Sequence, residues 1–286
     1  AGVLAVLAYL PALTAAPGRM PSDSKLYLYL DPGHFLGDAA TTFDPRQFAG
    51  WVPHQHIAYL WPAGPWFWLF DTLGVPDWIA HRLWIGTLLL AGGLGVRWVA
   101  RLLGLGPLAA AIAALAYQLS PYVLPYVSRT SVMLLPWAGL GWIVGCTIRA
   151  TRRPPDTTRL ARWADPAAVA LIVLTVGAVN ATALAMIVPA PVLWLIHTAW
   201  LGDVPWRRAV GIAVRTAVLS VGVSLWWAVM LVIQGRHGAE VLPYSESLAD
   251  VSFTSTSAEV WRQLGYWLFY VRDRFGPTTS ASAHYV

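Results

Sequence analysis

The chain has 286 residues, 57% of them hydrophobic and only 12% charged, with a formal charge of +5 and a mean hydropathy of +0.55. Soluble domains carry about 25% charge, so this composition argues against a soluble globular fold and for a membrane protein. The positive charge is scattered over separate loops, so it does not read as a nucleic-acid surface, and the one cysteine, Cys146, lies in an apolar run where no internal disulfide is open to it.

A helix needs about 20 apolar residues to cross a bilayer. In chain order the expected crossings are Ala1–Pro17, Leu83–Leu102, Leu108–Val127, Val132–Ile148, Pro166–Thr182, Leu184–Leu201 and Val210–Gln234. The first ends in Ala15-Ala16-Pro17-Gly18, which has the small residues of a leader cleavage site. No basic stretch precedes it, so it reads as a retained anchor. After it comes a long loop, Gly18–Arg82, that holds Asp23, Asp31, Asp38, Asp44 and Asp71. Within that loop Ile57–Phe70 is apolar but short, and Pro62, Gly64 and Pro65 break it, so it is expected to be an interfacial or re-entrant helix. Three hairpin turns follow: Gly104-Leu105-Gly106-Pro107, Ser128-Arg129-Thr130 and Asn180-Ala181-Thr182. Turns this short imply antiparallel neighbours. Gly92-Gly93-Leu94-Gly95 lies inside a crossing and reads as close helix packing. In the tail, 236–286, Ser257 is the expected cap of an aromatic helix with Glu259 in its first turn.

Charge orients the bundle. One side collects ten arginines (97, 101, 149, 152, 153, 159, 162, 207, 208 and 215) against three acids, Asp156, Asp165 and Asp203. By the positive-inside rule this side is cytoplasmic. The first loop and the tail are then extracytoplasmic. The Arg149–Arg162 loop is read first as topogenic, with an anionic lipid or an acidic cytosolic protein as the alternative partner. The expected fold is therefore an all-α polytopic membrane protein. About seven spans form one bundle over 1–286, with a long first extracytoplasmic loop at 18–82 and an extracytoplasmic segment at 236–286.

Chemistry is sought in that first loop. Asp23 follows the first span, between Ser22 and Ser24, where a carboxylate could act as general base on a sugar hydroxyl. Its alternative role is to cap a helix over "SKLYLYL". Asp31-Pro32-Gly33 and Asp44-Pro45 read as turn dipeptides, and Asp38 reads as a solvated loop residue. Lys25, His34, Arg46, His54, His56 and Arg129 all map to the same face, and a phosphate leaving group needs such donors. Arg129 stands out because it sits in a tight turn between two spans; its other role is to reach lipid headgroups. His54 and His56 have the spacing of a metal pair without a third ligand. Buried charges are too few for an ion-coupled transporter.

The stretches "SDSKLYLYLDPGHFL", "FDPRQFAGWVPHQHIAYLWPAGPWFWLFDTLGVPDWIAHRLW" and "GYWLFYVRDRFG" resemble the N-terminal part of the actinobacterial membrane arabinofuranosyltransferase D family, within the GT-C superfamily of polytopic glycosyltransferases. The resemblance implies a GT-C-type bundle. It also implies transfer of arabinofuranose from decaprenyl-phospho-arabinose to the arabinan of arabinogalactan and lipoarabinomannan, at the outer face of the plasma membrane. Family members place an acidic residue in the first outer loop, which maps onto Asp23. The substrate-binding candidates are then Lys25, His34, Arg46, His54, His56, Arg129 and Asp44. No cofactor is expected beyond the lipid-linked donor, and the sequence does not speak to a divalent metal. Expected partners are the donor, the arabinan acceptor and membrane lipids, with no nucleic acid. A lipid or sugar-lipid flippase and a non-catalytic scaffold are the competing functions.

Overall fold

The computed structural model describes residues 1–21, 23, 27–39, 41, 43–44, 50, 52, 56–127, 130–154, 156–202, 204–238, and within the tail 249, 252, 257–262, 272–273 and 276–277. Apolar runs punctuated by Gly and Pro become helices: α1 (Gly2–Thr14), α2 (Tyr27–Leu30), α3 (Pro32–Ala39), α4 (Ala63–Thr72), α5 (Asp77–Leu102), α6 (Pro107–Gln118), α7 (Leu124–Val127), α8 (Leu134–Arg152), α9 (Ala161–Val176), α10 (Ala181–Ile187), α11 (Pro189–Trp200), α12 (Trp206–His237) and α13 (Ser257–Trp261). Single 3₁₀ turns occupy His56–Leu60 and Ser131–Met133. Among the described residues the only extended pairing is Arg272–Asp273 with Gly276–Pro277.

The expected turn at Gly104–Pro107 forms, the bend expected at Asn180-Ala181-Thr182 falls just before Ala181, and Ser128-Arg129 lies outside the described residues. Gly104, at φ +88°, ends α5 in the left-handed region that favours glycine. Pro107 opens α6 at a first-turn position that needs no N–H. Asn180 Oδ1 accepts from the Ala183 N–H at 2.7 Å and so caps α10. Ser257 is the first residue of α13 rather than its cap.

α5 and α8 form the spine. Their contact depends on small residues: a Cβ on Gly141 would lie 2.5 Å from the Gly95 carbonyl carbon, and one on Gly92 would lie 2.6 Å from the Trp137 ring. The backbones therefore touch, which lets the Trp142 indole donate to the Ala91 carbonyl at 2.9 Å. α1 is held by Gln118, which donates to the Leu4 carbonyl at 2.9 Å, and by the Tyr9–Thr87 hydroxyl pair at 2.9 Å.

Five of the expected crossings centre on one helix each (α1, α5, α8, α9 and α12), whereas Leu108–Val127 divides into α6 and α7 and Leu184–Leu201 runs over α10 and α11. Four helical stretches are long and apolar enough to cross a membrane: Asp77–Leu102, Ser131–Arg152, Ala181–Trp200 and Trp206–His237. α1, α6 and α9 are shorter, with 13, 12 and 16 residues, so the count of seven stays an expectation. α12 shows why lipid is the solvent. Val210, Val214, Val218, Val221, Leu225, Val229 and Val232 make a continuous exposed apolar stripe, which water would penalise and hydrocarbon accepts. Ile57–Phe70 is not one continuous helix. It divides into a 3₁₀ turn and the ten-residue α4, about 15 Å long against a core of about 30 Å.

α5 and α8 start at the same end of the bundle and finish together at the other, where Arg152 donates to the Leu102 carbonyl. Over the 19 residues of α8 the two ends are about 28 Å apart. The first loop closes over one end, and the arginines gather at the other.

Candidate active site

Asp23 lies in the segment between α1 and α2 and is fully buried. Its carboxylate joins two distant parts of the chain. His81, in the second turn of α5, meets Oδ2 through Nε2 at 2.9 Å. The Ser131 N–H donates to Oδ1 at 2.9 Å from the 3₁₀ turn that leads into α8. The Tyr29 hydroxyl donates to the Asp23 carbonyl at 2.8 Å. One helical turn beyond His81, the Trp84 indole donates to Ser131 Oγ at 3.1 Å. A buried carboxylate is stable only when its lone pairs are engaged, and here α5 and the turn before α8 each engage one of its oxygens.

The shell is aromatic. Tyr29 stands edge-on to Phe67 at 4.6 Å and to His81 at 5.8 Å, and Trp84 packs against both Trp66 and Phe67. Burial, then the Asp23 charge, pushes the Tyr29 phenol far above its ordinary range, so it stays a neutral donor. His81 Nε2 donates to the carboxylate, and His81 Nδ1 is buried with no partner among the described residues. Outside the knot, Arg82 Nη2 donates to the Ala15 and Arg19 carbonyls at 3.4 and 3.2 Å, clasping the exit of α1 to the start of α5.

Beside this knot runs an apolar groove of about 780 Å³ between α6, α8 and α10. Its wall includes Met133, two residues along the same 3₁₀ turn from Ser131, and continues through Tyr126, Tyr117, Trp137, Leu140 and Ile187. Tyr117 stacks flat on Trp137 at 4.6 Å and donates to the Trp137 carbonyl at 2.7 Å.

The family model for the N-terminal GT-C domain of alpha-(1→3)-arabinofuranosyltransferase, GT-C_AftD, matches residues 6–286. The chain belongs to the GT-C_AftD family. It is 33% identical over 285 residues to the alpha-(1→3)-arabinofuranosyltransferase of Mycobacterium tuberculosis, covering 95% of this chain and 19% of that protein. It is 32% identical over 276 residues to the enzyme of the same name from Mycolicibacterium smegmatis, covering 95% of this chain and 18% of that protein. The cryo-EM structure of arabinofuranosyltransferase AftD from mycobacteria superposes with a TM-score of 0.75 at 29% identity, over 93% of this chain and 20% of that one. The chain thus spans about a fifth of the length of these relatives. The fold is a GT-C-type helical membrane domain.

Within this GT-C_AftD domain the other expected site residues fare differently. Lys25, Arg46, His54 and Arg129 lie outside the described residues. His34 is exposed on α3 and pairs with Asp38 one turn away at 3.3 Å. Asp38 is therefore a helical residue, which corrects its reading as a loop residue. Asp31-Pro32-Gly33 is likewise a helix start and not a turn, because Asp31 Oδ1 accepts the His34 N–H at 3.0 Å and Pro32 opens α3. His56 is buried, its ring edge-on to Phe35 at 5.4 Å, and Asp44 is buried too. Among the described residues no three His, Cys, Asp or Glu side chains converge to hold a metal.

Sequence reasoning missed His81 and Ser131. His81 is the one basic ring within the apolar opening of α5, "WIAHRLW", with Trp84 one turn on. That isolated polar residue was the available signal. Ser131 contributes a backbone N–H, for which the sequence carries no sign.

Proposed function

We propose that this domain performs the transfer chemistry of an inverting arabinofuranosyltransferase, with decaprenyl-phospho-arabinose as donor and cell-envelope arabinan as acceptor. The observation that carries the reading is a carboxylate set between a histidine and a backbone N–H, with an apolar groove starting two residues away. Asp23 takes the proton of the acceptor hydroxyl. The acceptor oxygen attacks the anomeric carbon as the bond from that carbon to the phosphate oxygen breaks. The bonding pair leaves with decaprenyl phosphate. The 780 Å³ groove suits the prenyl chain in shape and polarity.

Asp23 is sealed in this state, so the acceptor reaches it only after the loop around it opens. His81 then keeps the carboxylate oriented through Oδ2. Lys25 is two residues from Asp23 in the chain and Arg129 two residues from Ser131, which supports them as cations for the leaving phosphate; Arg is suited to engage two phosphate oxygens at once. His34 and Arg46 are the reserve donors, while His56, given its burial, fits packing better.

Full burial of Asp23 also favours a second reading, in which the knot is purely structural. A reconstituted transfer assay with the full-length protein separates the two. For a base, Asp23→Asn abolishes transfer with thermal stability near that of the parent. For a structural knot, stability falls and transfer per folded molecule is kept. Labelled donor lipid that crosses vesicles without any glycan product would instead favour the flippase.

The reading places Asp23 on the extracytoplasmic face of the plasma membrane, because the opposite end carries the ten-to-three excess of arginines over acids. Thr157→Cys should resist a membrane-impermeant thiol reagent in intact cells; efficient labelling would reverse this orientation.

A further inference from the structure

The arginine end of the bundle holds a second cavity, about 510 Å³, between the end of α8, the start of α9 and the first turns of α12. Arg153, Arg162, Arg207, Arg208 and Arg215 line it, and among the described residues none of its lining is acidic. Asp165 lies outside the cavity and engages Arg153 together with Arg149. Arg208 is aimed by the carbonyls of Ala150 and Arg153, and the Arg215 guanidinium lies over the Trp163 ring at 5.9 Å. Among the described residues no acidic side chain pairs with Arg207, Arg208 or Arg215, whereas Arg153 is paired with Asp165.

Two features make this arrangement unfavourable without an anion. Like charges sharing one cavity repel. Arg207 and Arg208 also stand in the first turn of α12, where the helix dipole already supplies positive charge and cations are disfavoured. An oxyanion at that helix end would reverse both terms.

The surroundings indicate the depth of the site. Trp163, Trp200 and Trp206 are exposed around it, and so are Leu160 and Leu201. Exposed Trp and Leu beside Arg mark the membrane–water interface. About 28 Å of α8 separates this level from Asp23, which is one hydrocarbon thickness.

We propose that this pocket binds a phosphate-bearing anion, and that its source is the phosphodiester headgroup of an anionic phospholipid in the leaflet opposite Asp23. The headgroup sits among Arg207, Arg208 and Arg215 with its acyl chains along the exposed apolar face of α12. Such a site would fix the depth of α12 and tie α8, α9 and α12 together at that face.

The test uses the full-length protein, delipidated in a neutral detergent and examined by native mass spectrometry. The probes are dioleoyl phosphatidylglycerol, dioleoyl phosphatidylcholine and inorganic phosphate. Retention of phosphatidylglycerol over phosphatidylcholine is expected. R207Q should weaken it about fivefold, since one surface cation contributes ~1 kcal/mol to anionic lipid binding. R207Q/R215Q should weaken it about thirtyfold. Arg207 is exposed, so R207Q alone leaves the core intact should the double variant misfold. Arg159→Gln removes an exposed charge on the same side but outside the cavity, and should leave retention unchanged. Equal retention of the two lipids, or an equal loss with Arg159→Gln, overturns the pocket. Inorganic phosphate that binds as well as the lipid and displaces it shows a soluble anion and overturns the lipid source. A co-purifying acidic protein released by R207Q, with no lipid preference, overturns it also.

Discussion

Each end of the bundle seals an aspartate almost completely from solvent, Asp23 at one and Asp165 at the other, and the two are held in different ways. At the arginine end Asp165 is 1% exposed and both its oxygens are met by guanidiniums, from Arg149 and Arg153. At the loop end Asp23 is fully buried between a histidine ring and a backbone N–H. A guanidinium never gives up its proton in proteins, so the Asp165 triad is a fixed ion cluster with no chemistry open to it. A histidine ring is no permanent cation, and a backbone N–H carries no net charge. The Asp23 carboxyl is therefore oriented by hydrogen bonds and is not locked into an ion cluster. That is a requirement for a base. Burial alone does not distinguish the two sites; the identity of the partners does.

The largest expected effect tests this contrast directly. Asp23→Asn keeps the shape and an oxygen for the Ser131 N–H, and removes the basic group. Transfer in a reconstituted assay should fall by about 10²–10⁴-fold, with little change in melting temperature. Activity near that of the parent would put Asp23 in the same class as Asp165.

His81→Gln is the next step down. Glutamine can donate to Oδ2 only from a different position, and a weakened hydrogen bond to a carboxylate costs up to ~1.5–3 kcal/mol, so transfer should drop by up to about 10–100-fold with little change in melting temperature. If the melting temperature falls and transfer per folded molecule is kept, His81 only supports packing.

The converse change belongs at the other end. Asp165→Ala leaves two arginines unpaired. Both reach solvent, so the cost is about 1–3 kcal/mol, below the ~3–5 of a fully buried pair. It should appear as a lower denaturation midpoint, with transfer per folded molecule unchanged. A selective loss of transfer would mean that the two ends are coupled.

Why one end was easier to read follows from the range of the forces involved. The helices were legible because Gly104, Pro107 and Asn180 act locally and the apolar runs between them are long. The close α5–α8 crossing was legible in Gly92, Gly93 and Gly95 for the same reason. Asp23 stood out by position after an apolar span. Its partners did not: His81 is 58 residues away and Ser131 is 108 residues away. Only tertiary closure of the first loop brings them together. Asp31-Pro32-Gly33 misled because the same three residues suit a turn and a capped helix start. The choice fell to His34 N–H, whose bond to Asp31 extends the chain into α3.

The smallest effect sharpens the assignment of roles around Asp23. Tyr29 touches the same residue as His81 and Ser131, and its hydroxyl donates to the Asp23 carbonyl. With its phenol held far above the ordinary range by burial and by the neighbouring negative charge, Tyr29 does not ionise at any working pH. It thus acts as a fixed neutral donor that holds the backbone of the loop. Tyr29→Phe removes one such bond and keeps the ring contact with Phe67. The expected cost is ~0.5–1.5 kcal/mol of stability, read as a small shift in melting temperature. Transfer per folded molecule should match that of the parent, in contrast to His81→Gln. If Tyr29→Phe lowered transfer as His81→Gln is expected to, proton chemistry at this site would run through the phenol, and the distinction in role between Tyr29 and His81 would fail.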